Sequence, residues 1–181
     1  MIKHEEYDFH KHFHKKTSGE GKPYPFLLEH IPQGPYSILD FGCGKGGTIE
    51  WLKTQRPDAY VEGYDPYIQA YDNPEHFERL WDYTYSGDCL EHIPTQELPR
   101  ILETLNKITR SKSIHLIDLD PARKVFPNGD NAHLSLLPES EWIRLFEDAG
   151  FKIGEYSTQT WNHRRRLELW CYATGNYDTD D

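Results

Sequence analysis

From Tyr36 onward, apolar and polar positions come in short runs whose period switches at regular intervals. Twofold alternation over a few apolar or β-branched residues marks strands, and spacing of three to four marks helices. On that basis strands are expected at 36–41, 59–65, 82–86, 113–119, 151–157 and 166–174, and helices at 46–54, 75–80, 95–109 and 138–149. Strands separated by helical segments of this length predict βαβ units and a mostly parallel, doubly wound sheet. The last two strands are joined by a short loop around Asn162-His163, so they should run antiparallel, because a parallel partner needs a longer crossover. Trp142 and Phe146, four apart on the last helix, are expected in the core.

Ahead of Tyr36 the pattern weakens. Residues 1–23 carry His4, His10, His12 and His14 among several lysines, and a short helix is expected from Pro25 to His30. The expected organisation is an N-terminal arm and helix covering the site (1–34), one domain (35–175) and an acidic tail (176–181). The segment "HKHFH" has metal-like spacing but lacks acids or cysteines in fixed register, and no metal site is expected. An arm closing over the site, with Tyr7 or a histidine touching substrate, is the preferred reading. The 120–137 segment reads as a long loop, which in a compact domain is more often functional than idle. "HRRR" (His163 to Arg166) reads as a solvated basic turn.

Composition narrows the classes. With 181 residues the chain holds one well-filled domain. A mean hydropathy of -0.82 is low, but 14% aromatic residues supply large buried areas. The formal charge of -10 argues against a broad phosphate-binding face, and no nucleic-acid partner is expected. Three cysteines without a C-x-x-C pair fit a reduced, cytoplasmic setting rather than a disulfide framework. No apolar run approaches the roughly 18 residues of a membrane span.

The chemistry concentrates in "ILDFGCGKGGTIEWL" (Ile38 to Leu52), a strand entering a glycine turn that opens a helix. Gly42, Gly44 and Gly47 satisfy the dinucleotide fingerprint, while Asp40, Gly42, Gly44 and Gly46 satisfy D-x-G-x-G-x-G. Asp65, at the end of the next strand, is placed to take a ribose diol in either case. Charge separates the two. A dinucleotide brings two phosphates that Asp40 would repel, whereas S-adenosylmethionine carries a sulfonium and an ammonium. A mouth lined by Asp40, Asp65, Asp88 and Glu91 suits the cation.

The stretches "ILDFGCGKGG", "GYDPY", "GDCLEHIP" and "LLPESEWIRLFEDAGF" resemble the class I S-adenosylmethionine-dependent methyltransferases. A narrower similarity is to small bacterial and phage members with LDxGCGKG, LEHI and NAHL motifs, the last matched by "NGDNAHLSL" with Asp130 where that group often has arginine. The resemblance spans about residues 36–175. It implies a Rossmann-like fold, S-adenosylmethionine as cofactor and S-adenosylhomocysteine as product. It further implies that Asp40 and the backbone of Gly42, Cys43, Gly44 and Gly46 hold the methionine part, and that Asp65 takes the ribose. Pro66 and Tyr67 would flank the adenosine, with Asp88 and Cys89 on the reacting side. One departure is expected: only sixteen residues separate Asp65 from Asp82, too few for a third strand and helix, so the sheet should be trimmed.

Histidine is the natural base near neutral pH, so His92 and His133 are the catalytic candidates, with Glu91 beside the transferred methyl. Arg123 and Asn131 are candidate substrate contacts; a plain alternative is that Asn131 and His133 only pin the loop. Three functions stay open: methyl transfer to a small acceptor, a nicotinamide-dinucleotide oxidoreductase, and a cofactor-binding partner without turnover.

Overall fold

A computed structural model describes residues 24–174. Tyr7, the four arm histidines and the acidic tail lie outside the described residues.

Helix α1 (Leu27–His30) precedes strand β1 (Ser37–Phe41), helix α2 (Gly47–Gln55) and strand β2 (Tyr60–Tyr64). Strand β3 (Trp81–Gly87), helix α3 (Leu98–Ile108), strand β4 (Thr109–Asp118), helix α4 (Glu139–Asp148), strand β5 (Lys152–Trp161) and strand β6 (Arg164–Tyr172) follow. The six strands form one sheet in the order β2-β1-β3-β4-β6-β5. Its first four strands are mutually parallel, and β6 is antiparallel to both β4 and β5. The mixed α/β architecture and the antiparallel ending agree with the pattern read from the sequence.

The sheet is trimmed as expected, with β2 at its outer parallel edge. Where a helix was expected at 75–80, a 3-10 turn runs from Pro74 to Glu78. Asn73 caps it by accepting from the Glu75 N–H at 3.1 Å, and Trp81 Nε1 donates to the His76 carbonyl at 2.9 Å. The β5–β6 hairpin turns through Asn162 and His163 with φ of 51° and 63°. Two positive φ values at a two-residue turn match the strand twist, and asparagine tolerates this region better than most residues.

Two cores cover the sheet. On one face Leu27 of α1, Ile31 just after it, and Ile49 and Leu52 of α2 pack on Ile38, Tyr83 and Ile114. On the other, Leu98, Leu102 and Leu105 of α3 and Trp142 and Phe146 of α4 pack on Leu39, Ile117 and Leu169. The i, i+4, i+7 spacing in α3 gives it a single apolar stripe. His115 of β4 is fully buried within this second face. Its Nδ1 pairs with Ser86 Oγ and its Nε2 with Ser113 Oγ, both at 2.8 Å. Burial lowers its pKa to about 3, so the ring stays neutral and serves the packing.

Candidate functional site

The carboxyl ends of β1, β2, β3 and β4 converge, and the sequence between them folds to bring carboxylates together. After β1 the chain turns through Gly42, Gly44 and Gly46 with φ of 77°, 55° and 83°. The Tyr64 carbonyl accepts from the N–H groups of Gly42 (2.7 Å) and Cys43 (3.2 Å), which ties the turn to the end of β2. A Cβ at Gly42 would overlap the Cys89 sulfur. We expect Gly42→Ala to cost about 2–4 kcal/mol, from overpacking plus the left-handed backbone. Urea unfolding measures it, and Cys89→Gly in the same background should recover part of the loss.

Asp40 is buried on β1, directly opposite Tyr85 of β3 in the register. Among the described residues nothing hydrogen-bonds its carboxyl. Burial, reinforced by repulsion from Asp65, raises its pKa to about 8. Asp65 receives the Gly44 N–H on Oδ2 at 3.0 Å and the Tyr67 N–H on Oδ1 at 2.9 Å. It therefore braces the glycine turn as well as facing the mouth, and Pro66 and Tyr67 follow it half-buried. The four acids named from sequence do gather: Cys89 feels Asp65, Glu91, Asp40 and Asp88 together. Burial first, and this negative field second, push the thiols of Cys43 and Cys89 up, which suits packing residues and not nucleophiles.

Asp88 is already engaged. It accepts from the Tyr24 hydroxyl at 2.6 Å and from Arg166 at 2.7 and 2.9 Å. This corrects the reading of "HRRR" as a solvated turn. Arg164 Nε donates to Asp118 Oδ2 at 2.6 Å, and Arg165 pairs with Asp120 at 2.8 Å. The three arginines lie just after the hairpin turn, so antiparallel pairing swings them back over the carboxyl end of β4, where the acids are.

Glu91, His92 and His133 come together. Glu91 and His92 end a 3-10 turn (Leu90–His92), and His133 comes from the loop after β4. The two imidazoles meet edge to face with centroids 4.8 Å apart. His92 Nδ1 pairs with the Ala132 carbonyl at 2.8 Å and His133 Nδ1 with the Asp120 carbonyl at 2.6 Å. Glu91 is 0% exposed; its Oε1 accepts the Asp118 N–H at 3.2 Å and its Oε2 has no described partner. Burial holds its carboxyl well above the usual range.

Asn131 bonds within its own loop. Its Oδ1 accepts from the N–H groups of Ala122 and His133, both at 2.9 Å, and its Nδ2 donates to the Ala122 carbonyl at 3.0 Å. These bonds match the alternative read from the sequence, that Asn131 pins the loop, and one Nδ2 hydrogen is left over for another acceptor. Arg123 is exposed on the same loop, with no ion pair among the described residues.

Two tyrosines of the mouth escaped sequence reading. The Tyr85 hydroxyl is buried without a described partner, amid Asp40, Tyr24 and Asp88. The Tyr71 hydroxyl lies against Gly46, where a Cβ would collide with it. Tyr85 lay in view on a strand beside Asp40, but only the pairing register reveals the proximity.

Among curated proteins no sequence match was found. The fold resembles a candidate O-methyltransferase from Nostoc punctiforme (TM-score 0.57, 16% identity, 81% of this chain and 53% of that one). This chain thus spans about half of that protein's length. It also resembles magnesium protoporphyrin IX methyltransferase from Synechocystis with bound S-adenosylhomocysteine (TM-score 0.58, 17% identity, 93% and 82% covered). A third similar structure is 1,6-didemethyltoxoflavin-N1-methyltransferase from Burkholderia thailandensis (TM-score 0.65, 15% identity, 93% and 84% covered), with 1,6-didemethyltoxoflavin and S-adenosylhomocysteine bound. A family model described as a methyltransferase domain matches residues 11–156. With most of its length inside that match and the β-sheet order and glycine turn to go with it, this chain belongs to the methyltransferase-domain family.

Proposed function

We propose that this protein transfers the methyl group of S-adenosylmethionine to a small-molecule acceptor and releases S-adenosylhomocysteine. The observation that carries the reading is Asp40, a buried carboxyl without a described partner, at the foot of a left-handed glycine turn. Such a group is stabilised by a cation and repels phosphate. The ligands of the Synechocystis and Burkholderia proteins support the same cofactor.

In this reading Asp40 and the backbone of Gly42, Cys43, Gly44 and Gly46 hold the amino-acid part of the cofactor. Asp65 keeps lone pairs beyond its two backbone bonds, enough to accept from ribose hydroxyls. Pro66 and Tyr67 flank the adenosine, and Asp88 and Cys89 border the sulfonium. The reaction is an in-line displacement on an activated leaving group, so positioning supplies much of the acceleration, roughly 7–11 kcal/mol for well-oriented reactants. Glu91, His92 and His133 stand on the acceptor side, with Arg123 and Tyr7 as outer contacts. The free thiols of Cys43, Cys89 and Cys171 fit a reducing, cytoplasmic setting. No described helix is long and apolar enough to cross a membrane.

Titration calorimetry with S-adenosylhomocysteine and with NAD separates this from an oxidoreductase. We expect binding of the first and none of the second; NAD binding alone would sink the proposal. A cofactor-binding partner without turnover predicts binding but no methylated product from any acceptor.

A further inference from the structure

We propose that Glu91, His92 and His133 form a site for a divalent transition-metal ion, whose open positions take an oxygen of the acceptor. The inference rests on the methyl-transfer reading above for the acceptor, but not for the ion. No metal was expected here from the sequence, because His133 lies 41 residues after the adjacent pair Glu91-His92.

Three observations carry it. The three side chains can present ligand atoms all within 4.8 Å of one another. Both Nδ1 atoms face backbone carbonyls, Ala132 for His92 and Asp120 for His133, and a carbonyl only accepts. Each ring therefore carries its proton on Nδ1 and its lone pair on Nε2, the arrangement a ligating imidazole adopts when an outer carbonyl orients it. The third observation is Glu91 Oε2, fully buried with no described partner, while Oε1 is held by the Asp118 N–H. A buried carboxyl without a partner either keeps its proton or takes a cation in the proton's place, and two neutral imidazoles bring no charge of their own.

The site is also braced. The Ser135 N–H donates to the Glu91 carbonyl at 3.0 Å, and Ser135 Oγ donates to the Ile93 carbonyl at 2.6 Å. The two ligand-bearing segments are thus stitched together on either side of the ligand set. Bond lengths near 2.1 Å put tetrahedral ligands about 3.4 Å apart, so side-chain rotations of about an ångström close the set. Two imidazoles and one carboxylate select a first-row ion such as Zn²⁺, Co²⁺ or Fe²⁺ over Mg²⁺, and three protein ligands leave positions open.

An acceptor hydroxyl on an open position loses its proton to water more readily, because the ion stabilises the oxyanion. The oxygen lone pair then forms the bond to the methyl carbon. The carbon–sulfur bond breaks with its electron pair going to sulfur, leaving the neutral thioether of S-adenosylhomocysteine.

The test uses full-length, chelator-treated protein titrated with Co²⁺ by calorimetry and visible absorption. We expect one ion per chain at micromolar or tighter affinity. Glu91→Gln and His133→Ala should weaken it about 100-fold or more, since losing a ligand costs at least what losing an outer partner does. A variant with His4, His10, His12 and His14 all changed to alanine should keep both the ion and its spectrum. If the wild type takes up no ion, the proposal is overturned. It is equally overturned if the arm variant loses the ion, which would place the metal on the arm. Should a ligand variant unfold, the arm variant's spectrum still decides. Binding of S-adenosylhomocysteine is measured in parallel: ion without nucleoside sinks the methyl-transfer reading alone, and nucleoside without ion sinks the metal alone.

Discussion

Arg166→Met should destabilise the fold by about 3 kcal/mol, because it takes the cation from part-buried Asp88 and one of two cations from buried Asp118. Arg166 reaches Asp88 at 2.7 Å, Asp118 at 3.7 Å and the Tyr24 hydroxyl at 3.2 Å, joining three distant segments. Its side chain is 12% exposed and that of Asp118 only 5%. Full loss of a buried pair costs roughly 3–5 kcal/mol. The lower end applies here, since Asp118 keeps Arg164 and Asp88, at 31% exposure, keeps some water. At about 2–4 °C per kcal/mol for a chain of this size, the melting temperature should fall roughly 6–12 °C. A double-mutant cycle with Asp88→Asn should show strong coupling. A melting temperature within a degree or two of wild type would rule out the pair as an organiser of the site.

Asp40→Asn should move stability and ligand binding in opposite directions. The carboxyl titrates at about 8 in the fold against 3.8 unfolded. Between those values the folded state binds the extra proton, so its stability falls as pH rises, and the loss is complete above about pH 8. An amide has no such loss. The variant should therefore melt higher than wild type at pH 8.5, with little difference at pH 4. Binding behaves inversely: a cationic ligand needs the ionised carboxylate, so wild-type affinity for S-adenosylmethionine should rise with pH up to about 8. Losing this charged contact should cost roughly 1.5–3 kcal/mol at pH 8.5, about 10- to 150-fold in affinity. Comparing the two pH profiles removes the ligand's own amine titration. If Asp40 were only a packing residue, affinity would be unchanged.

Much of the frame was legible from the chain. Strand and helix periods located all six strands within a few residues and predicted the antiparallel ending from one short loop. Asp40 and the glycines stood out because backbone conformation and local charge are properties of neighbouring residues. The short interval before Asp82 announced the missing strand for the same reason. Less was legible where partners are distant. The helix expected at 75–80 gave way to a 3-10 turn anchored on Trp81, a tertiary contact. Arg164, Arg165 and Arg166 read as solvated because Asp118, Asp120 and Asp88 lie 45 to 78 residues earlier.

By itself, then, the sequence determined the alternation of strands and helices, the glycine turn and the acid that precedes it, all written in short-range spacing. Only the tertiary structure decided which acids are paired, that Tyr85 faces Asp40, and that Glu91, His92 and His133 share one point. Those outcomes depend on strand register and loop return. Register places residues tens of positions apart within hydrogen-bond reach, and no local pattern encodes that distance.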